Sequence, residues 1–568
     1  MLTVTRFRCH GPRPARGRLD SRGEGWAKPV VTGGTAATAV VVGRARLNGV
    51  MSTPHVDTAL VAALAADLRA AGYTTDRLRD AWGSAADGAL GRGHALPASR
   101  ALRRDTSALA VIARLFGLGE PVDAELATEA FPTVDLAGLE VLGLARCPDG
   151  SRLAIPDVLI RPQAFIDDDG FGEWWIASDL DEAALRARGG SVSLPEDHVL
   201  GVGGASLTLA GLQPTAGVAR VLDLGAGCGI QALRARRVAG HVVATDISQR
   251  ALAFTRFNAA LNGVDHIETR AGSLFEPVAG EEFDRVVSNP PFVITPRAAG
   301  VPAYEYRDGG REGDGLVAEV VSSVGAVLAP GGVAVMLGNW ETRRTADGRV
   351  DAGLDRVRAW VEASPVPLDA WIIEREPTDP VAYAELWIRD GGTVPGMPGY
   401  DALLGAWLDD FERRRVTQIG FGYVVLRRAA DEPRLARYER VTHAIPESGL
   451  GAHISRALAA HDALAVLDDD ALAASTLLVA PDVTEARHLM PGAEDPTVIE
   501  LRQGGGLGRT ISVDSALAGI VGACDGDLSI GQIVDAVASL LDVSAEALRA
   551  DVLPRLRELV FTGFLRFA

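Results

Sequence analysis

Between residues 217 and 428 the chain alternates short apolar runs with amphipathic helical patterns. Few folds accept that rhythm. Strand–helix repeats build a parallel sheet, and helices on both faces bury both sides of its strands. Strands are expected at 219–224, 242–246, 267–271, 285–288, 332–337, 369–374 and 419–426, with helices at 248–262 and 316–328. Residues 379–414 exceed an ordinary connection and should add helices. The expected class is α/β, a doubly wound, mostly parallel, seven-stranded Rossmann-like sheet over residues 186–430.

The flanks read differently. Residues 1–50 carry nine basic residues against Asp20 and Glu24, about +7, which leaves about −25 for the rest of a chain of formal charge −18. Rich in Gly, Pro and Arg, they read as a disordered leader or a mis-called start before Met51. Residues 51–185 read as a mostly helical N-terminal domain, with a small hairpin that suits a winged helix. Trp174 and Trp175 are adjacent on a strand, so one should be core and the other exposed or at a domain contact. Residues 431–568, with a glycine hinge at 504–506, end in three helices and a strand like a winged-helix module. The helix at 529–541 has no Arg or Lys, so scaffolding or protein docking is a better expectation for it than DNA reading.

Two words in the α/β region carry chemistry. Asp223-Leu224-Gly225-Ala226-Gly227-Cys228-Gly229 ends the first strand and opens a helix. Its glycines let a ligand approach the backbone without a Cβ clash. A dinucleotide fingerprint needs a third glycine at position 230, which here is Ile230. Asp246 ends the second strand, where a carboxylate can accept bonds from both hydroxyls of a ribose; capping the next helix is the alternative, for which Ser248 is the better candidate. The second word is Asn289-Pro290-Pro291-Phe292, after the fourth strand. Its prolines end the strand and stiffen the turn. The Asn289 side-chain oxygen and the Pro290 carbonyl can then accept from one NH2 group, and Phe292 can stack on a flat substrate.

Glycines at alternate positions after an acidic residue resemble the class I S-adenosylmethionine-dependent methyltransferases. The NPPF turn resembles their N6-adenine, N2-guanine and glutamine N5 group. The resemblance covers residues 195–428, and Leu274-Phe275-Glu276-Pro277 and Asp308-Gly309-Gly310 look like the release-factor glutamine methyltransferases. It implies S-adenosylmethionine as cofactor, held by Asp223, Gly225, Ala226, Gly227 and Gly229 at its methionine end and by Asp246 and Ile247 at the ribose. Ser273 and Leu274 would lie at the adenine, where this family usually has an acidic residue, and Asn289 would lie near the methyl. Asn289, Pro290, Pro291 and Phe292 would be the catalytic set, with neither metal nor strong base required. Residues 201–208 would fold over the cofactor or serve as a linker, and Tyr304 to Asp308 would form a substrate lid. Arg297 and Arg307 read as solvated surface arginines.

The acceptor expected first is a base in structured RNA, ribosomal or transfer. A protein glutamine comes second, and a small molecule or a regulatory cofactor-binding protein stays open. A net charge of −18 opposes general polyanion binding. The only lysine, Lys28, rules out lysine Schiff-base chemistry further along. Four scattered cysteines without CxxC spacing fit no zinc site and suit a reducing cytoplasm. No apolar run reaches the roughly 18 residues of a membrane span.

Overall fold

The central sheet contains β1 (Val218–Leu224), β2 (Ala239–Asp246), β3 (Ile267–Ala271), β4 (Phe283–Ser288), β5 (Leu328–Arg344), β6 (Leu368–Thr378), β7 (Val416–Arg428) and β8 (Ala436–Arg440). The computed structural model describes residues 52–568 except 168–169, 189–193, 303–306 and 447–448. The leader and the two lid tyrosines Tyr304 and Tyr306 lie outside the described residues. Strand order is β8-β6-β7-β5-β4-β1-β2-β3, with the short strand Val350–Asp351 added to the end of β5. Of the eight numbered strands only β7 runs antiparallel to its neighbours, as does the short added strand to β5. The expected α/β class and its seven strands are therefore present, and β1 sits at the switch point between β2 and β4. In such sheets ligands bind beyond the carboxyl ends of the strands at that point.

Side chains alternate across the sheet, as strand geometry requires. Val221 and Val287 join a cluster with Ala232 and Ala235 of α1 (Ile230–Arg236). Leu222, Leu224 and Val286 join one with Val317, Val320 and Val321 of α3 (Gly315–Ser323). Between them in the chain comes α2 (Gln249–Leu261), capped by Ser248 as expected, whose Oγ accepts from the Ala251 amide at 3.3 Å. The outer face of α2, with Phe254, Phe257 and Leu261, completes an apolar core built mainly from residues 61–177.

Polar contacts lock that junction. Asn258 accepts from the Ala177 amide at 2.8 Å and donates to the carbonyls of Ala177 and Cys228 at 2.9 and 2.8 Å. Asn262, one turn on, repeats the pattern with Trp175. One side chain thus ties the hairpin Val158–Asp167/Gly170–Asp179 to the glycine loop. Asn258→Ala will cost about 2–4 kcal/mol, since it strands buried backbone groups; thermal denaturation will show the drop in Tm. On the same hairpin Trp174 is core, its ring centroid 4.1 Å from that of Phe165. Trp175 is half-buried and donates its indole N–H to the Tyr73 carbonyl at 2.7 Å.

Several boundaries differ from the sequence reading. β5 continues to Arg344 rather than ending at residue 337, because Asn339 to Thr342 still pair with β7 and the polar side chains of Asn339 and Glu341 are buried. The helix expected at 316–328 ends at Ser323 and tightens into a single 3-10 turn before β5. β8, read with the C-terminal stretch, pairs in parallel with β6 and extends the central sheet. Glycines 504–506 are no hinge: they turn the chain between strands Pro496–Gln503 and Thr510–Val513, with the Gly504 and Gly505 amides bonded to Asp482. The insertion at 379–414 supplies α4 (Pro380–Asp390) and α5 (Tyr400–Arg413), as expected. Thr53 to Ala568 form one compact unit.

Near the C-terminus, strand Thr476–Val479 lies between Asp525–Ser529 and Leu565–Phe567. Helices Ser515–Gly522, Ile530–Leu541 and Ala545–Phe561 pack on them around Leu517, Ile533 and Leu556. Among the described residues no helix is long and apolar enough to cross a membrane.

Candidate functional site

The carboxyl ends of β1, β2 and β4 bring the sequence-selected residues together. Gly225, Gly227 and Gly229 all take positive φ (77°, 55° and 83°), which turns the chain sharply from β1 into α1. A Cβ on Gly229 would also lie 2.9 Å from the Thr255 methyl, so no other residue fits there without a shift. The amides of Gly225 and Ala226 bond the Thr245 carbonyl on β2, and Thr255 Oγ1 donates to the Gly227 carbonyl at 3.0 Å. The loop is thereby fixed from two sides.

Two carboxylates face this loop. Asp223 is fully buried, and no donor lies in good hydrogen-bond geometry to either of its oxygens; besides Asp246, the Ala232 amide at the head of α1 is the polar group that bears on it. Burial raises its pKa to about 7; the Ala232 amide offsets this in part, and the charge of Asp246 adds to it. A buried acid without partners is costly unless something cationic arrives. Asp246 is partly buried. Its Oδ2 accepts from the Gly227 amide at 3.0 Å and its Oδ1 from the Ser248 amide at 2.8 Å. Burial raises its pKa as well, opposed by those backbone amides. The two bonds aim the carboxylate and leave each oxygen a second lone pair. Beside it Ile247 is 66% exposed, an apolar surface held out next to a polar one. At the end of β3, Ser273 is exposed while the Leu274 side chain packs inward with φ at +48°. The Gly272 amide bonds the Asp246 carbonyl, so this turn stays against the end of β2.

On the other side of β1 comes the NPPF turn. Ser288 Oγ donates to the Leu224 carbonyl at 2.8 Å, pinning the end of β4 to the end of β1. Asn289 Oδ1 is buried and has no hydrogen-bond partner. Pro290 is buried and Pro291 half-buried. The half-buried Phe292 ring lies 5.5 Å from that of Phe421 on β7. The segment after Arg307 folds back on the turn: Phe292 and Asp308 pair as an antiparallel bridge. A Cβ at Gly309 would come within 2.9 Å of the Pro291 carbonyl. Arg307 is not the solvated arginine expected; it is buried, donating to the Trp387 carbonyl and to Asp390 at the end of α4. Arg297 is exposed as expected and lies 3.8 Å from Asp308.

Residues 201–208 lead into a helix that packs beside α1. This helix, Gly204–Leu212, is held by Gln231 of α1, which donates to the Ser206 carbonyl at 2.7 Å. Sequence reading missed Thr245, Thr255 and Ser288, whose roles are backbone bonds with no motif. It also missed Asn339 and Tyr383, which the fold brings up to the residues just past the NPPF turn. No cluster of three metal-ligating side chains exists among the described residues, and Cys147, Cys228 and Cys524 are free.

Residues 203–300 match the methyltransferase small domain. Residues 70–154 and 458–567 match two domains of unknown function, DUF7059 and DUF7782. A release factor glutamine methyltransferase of Xylella fastidiosa (strain 9a5c) is 38% identical over 134 residues, 22% of this chain and 47% of that protein. A ribosomal protein L11 methyltransferase of Lactobacillus johnsonii is 41% identical over 70 residues, 12% of this chain and 22% of that protein. The chain thus spans half or less of the length of these curated relatives. Among solved structures, a geranyl diphosphate methyltransferase is 14% identical with a TM-score of 0.25, covering 40% of this chain and 76% of that one. Glycine loop, NPPF turn, sheet order and family match agree, and the chain carries a class I S-adenosylmethionine-dependent methyltransferase domain of the NPPF type.

Proposed function

We propose that the protein methylates the side-chain amide nitrogen of a glutamine in a protein substrate. The observation that carries this is the buried, unpartnered Asn289 Oδ1 on a proline-stiffened turn, one strand away from the buried, unpartnered Asp223. Both are polar groups that the fold leaves waiting for a ligand.

The donor is S-adenosylmethionine, which when bound supplies a methyl group on a sulfonium. The residues fit it by charge and shape. Asp223 offers a carboxylate to the ammonium, the glycine loop allows close backbone approach, Asp246 offers lone pairs to two hydroxyls, and Ile247 an apolar face to the base. Asn289 Oδ1 and the Pro290 carbonyl accept the two N–H bonds of the acceptor. An amide nitrogen shares its lone pair with its carbonyl and is a poor nucleophile. Two convergent acceptors hold its plane and aim the lone pair, so alignment does the work that a strong base would otherwise do. The nitrogen gains a methyl and gives up one proton.

A protein acceptor is favoured over the RNA base expected first. The formal charge of −18 repels phosphate, and helix Ile530–Leu541 carries no basic residue. The curated relatives are named for a release factor and a ribosomal protein. The test incubates the full chain with methyl-labelled S-adenosylmethionine and a cell extract, then digests protein and RNA separately with enzymes for mass spectrometry. N5-methylglutamine in the protein digest is the expected product. Label confined to nucleosides would overturn the reading.

A further inference from the structure

Asn339 lies on β5, three residues past Met336, which pairs with Ser288 immediately before Asn289. Its partner across to β7 is Phe421, whose ring packs against that of Phe292. It is 1% exposed, a buried amide on the strand that pairs with the one leading into the NPPF turn. The Asn339 amide group lies 2.6 Å from the Tyr383 hydroxyl, on α4 of the insertion. Tyr383 also receives the Ile294 amide N–H at 3.1 Å, which ties the pair to the chain leaving the NPPF turn. Trp407 and Phe411 of α5 hold the Tyr383 ring from behind, with centroids 6.1 and 6.0 Å away.

The hydrogen bonds of this group leave something over. With the Asn339 NH2 turned towards Tyr383, the phenol oxygen receives two N–H donors and its own proton has no taker. At the same time Asn339 Oδ1 is buried with no donor. A half-turn of the amide gives the phenol proton a taker and leaves the NH2 as the group that awaits a partner. Tyr383 then donates its proton to Asn339 Oδ1, and the Asn339 NH2 moves into the space where the orphaned oxygen lay. An amide's two ends are told apart by such partners. What remains is a buried, rigidly held NH2 donor, tied through Tyr383 to Ile294 and through Phe421 to Phe292, on the chain that carries Asn289 and Pro290.

We propose that Asn339, oriented by Tyr383, forms an acceptor subsite that donates to the carbonyl oxygen of a primary carboxamide while Asn289 and Pro290 accept from its nitrogen. This rests on the proposed amide methylation and deepens it. The three groups read the whole edge of a carboxamide, one acceptor oxygen beside one NH2. A group with an N–H in place of that oxygen meets donor against donor, and a site built on buried polar pairs rejects such a mismatch strongly. Asn339 is a recognition residue, and Tyr383 is a positioning residue.

The experiment uses the full chain and the protein fraction of the extract, with digestion to N5-methylglutamine as readout. Asn339→Asp replaces the donor by an acceptor of equal size. It is expected to lower the labelling rate about 100-fold, the scale of losing one transition-state hydrogen bond, with cofactor affinity by calorimetry unchanged. Tyr383→Phe frees the amide and should lower the rate about tenfold. As competitors, propionamide should inhibit wild type better than propionamidinium, and Asn339→Asp should reverse that order, which a merely structural role would not do. If Asn339→Asp binds no cofactor, and so has not folded, Tyr383→Phe and the competitor order in wild type decide. Glutamine labelling at a near-normal rate in both variants overturns the subsite and leaves amide methylation standing. Label that never appears on glutamine in wild type overturns both.

Discussion

Asn289→Ala will lose methyl transfer by about 100- to 1,000-fold while binding S-adenosylmethionine almost as wild type does. The magnitude is that of removing one well-placed hydrogen-bonding group from the transition state. The separation of effects follows from position. Asn289 Oδ1 has no partner within the fold, so its loss strands no other group. The carboxylates assigned to the cofactor stand on β1 and β2, and the pin between β4 and β1 is Ser288, not Asn289. Isothermal calorimetry and an initial-rate assay on the same preparation check both halves. Asn289→Asp keeps an oxygen in nearly the same place and should retain more rate than the alanine variant. Parallel loss of cofactor affinity and rate in Asn289→Ala would make Asn289 a cofactor residue instead and remove the argument for its acceptor role.

The part of this site that could be read in the sequence is the part that glycine and proline write. Positive φ at Gly225, Gly227 and Gly229 and a strand stopped by Pro290 and Pro291 are local requirements, visible at fixed spacing within a few residues. The central sheet was legible for a similar reason: strands buried on both faces are runs of Val, Leu and Ile, as in β1, β2 and β4. Legibility failed where polar residues are buried. Asn339, Glu341 and Thr342 look like the start of a loop, yet they continue β5, because Glu341 bonds Arg343 and Arg414 while Asp314 accepts the Glu341 amide. Arg343 is two residues along the strand, but Asp314 and Arg414 lie far off in sequence, so nothing within a short window announces them. The same holds for Asn258 and Asn262, which no motif singles out on their helix and which hold the backbone of the 170–179 strand. Arg307 was misjudged for the same reason, since its partners on α4 follow it only in the fold.

Asp223→Asn will reduce cofactor affinity about 100-fold or more at pH 8, and yet the cofactor-free variant will melt a few degrees higher than wild type. Both effects come from one buried carboxyl. Its pKa is raised from 3.8 to about 7, chiefly by burial. Between those values the folded protein holds a proton that the unfolded chain has released. The stabilising contribution of the protonated acid is fully present below about pH 4 and is lost as pH rises through 7, since stability falls with pH wherever the folded state binds more protons. At pH 8 the cofactor-free protein therefore carries a buried, unpaired anion. Three pKa units correspond to about 4 kcal/mol, part of which the uncharged asparagine recovers. The cofactor's ammonium reverses this by giving the anion a partner. Wild-type affinity should accordingly weaken about tenfold for each pH unit below 7, with proton release on binding visible as a buffer-dependent enthalpy. In Asp223→Asn that pH dependence and proton release should disappear. A variant that binds S-adenosylmethionine normally at pH 8, with proton release intact, would move the cationic contact away from Asp223 and leave Asp246 as the acidic anchor of the site.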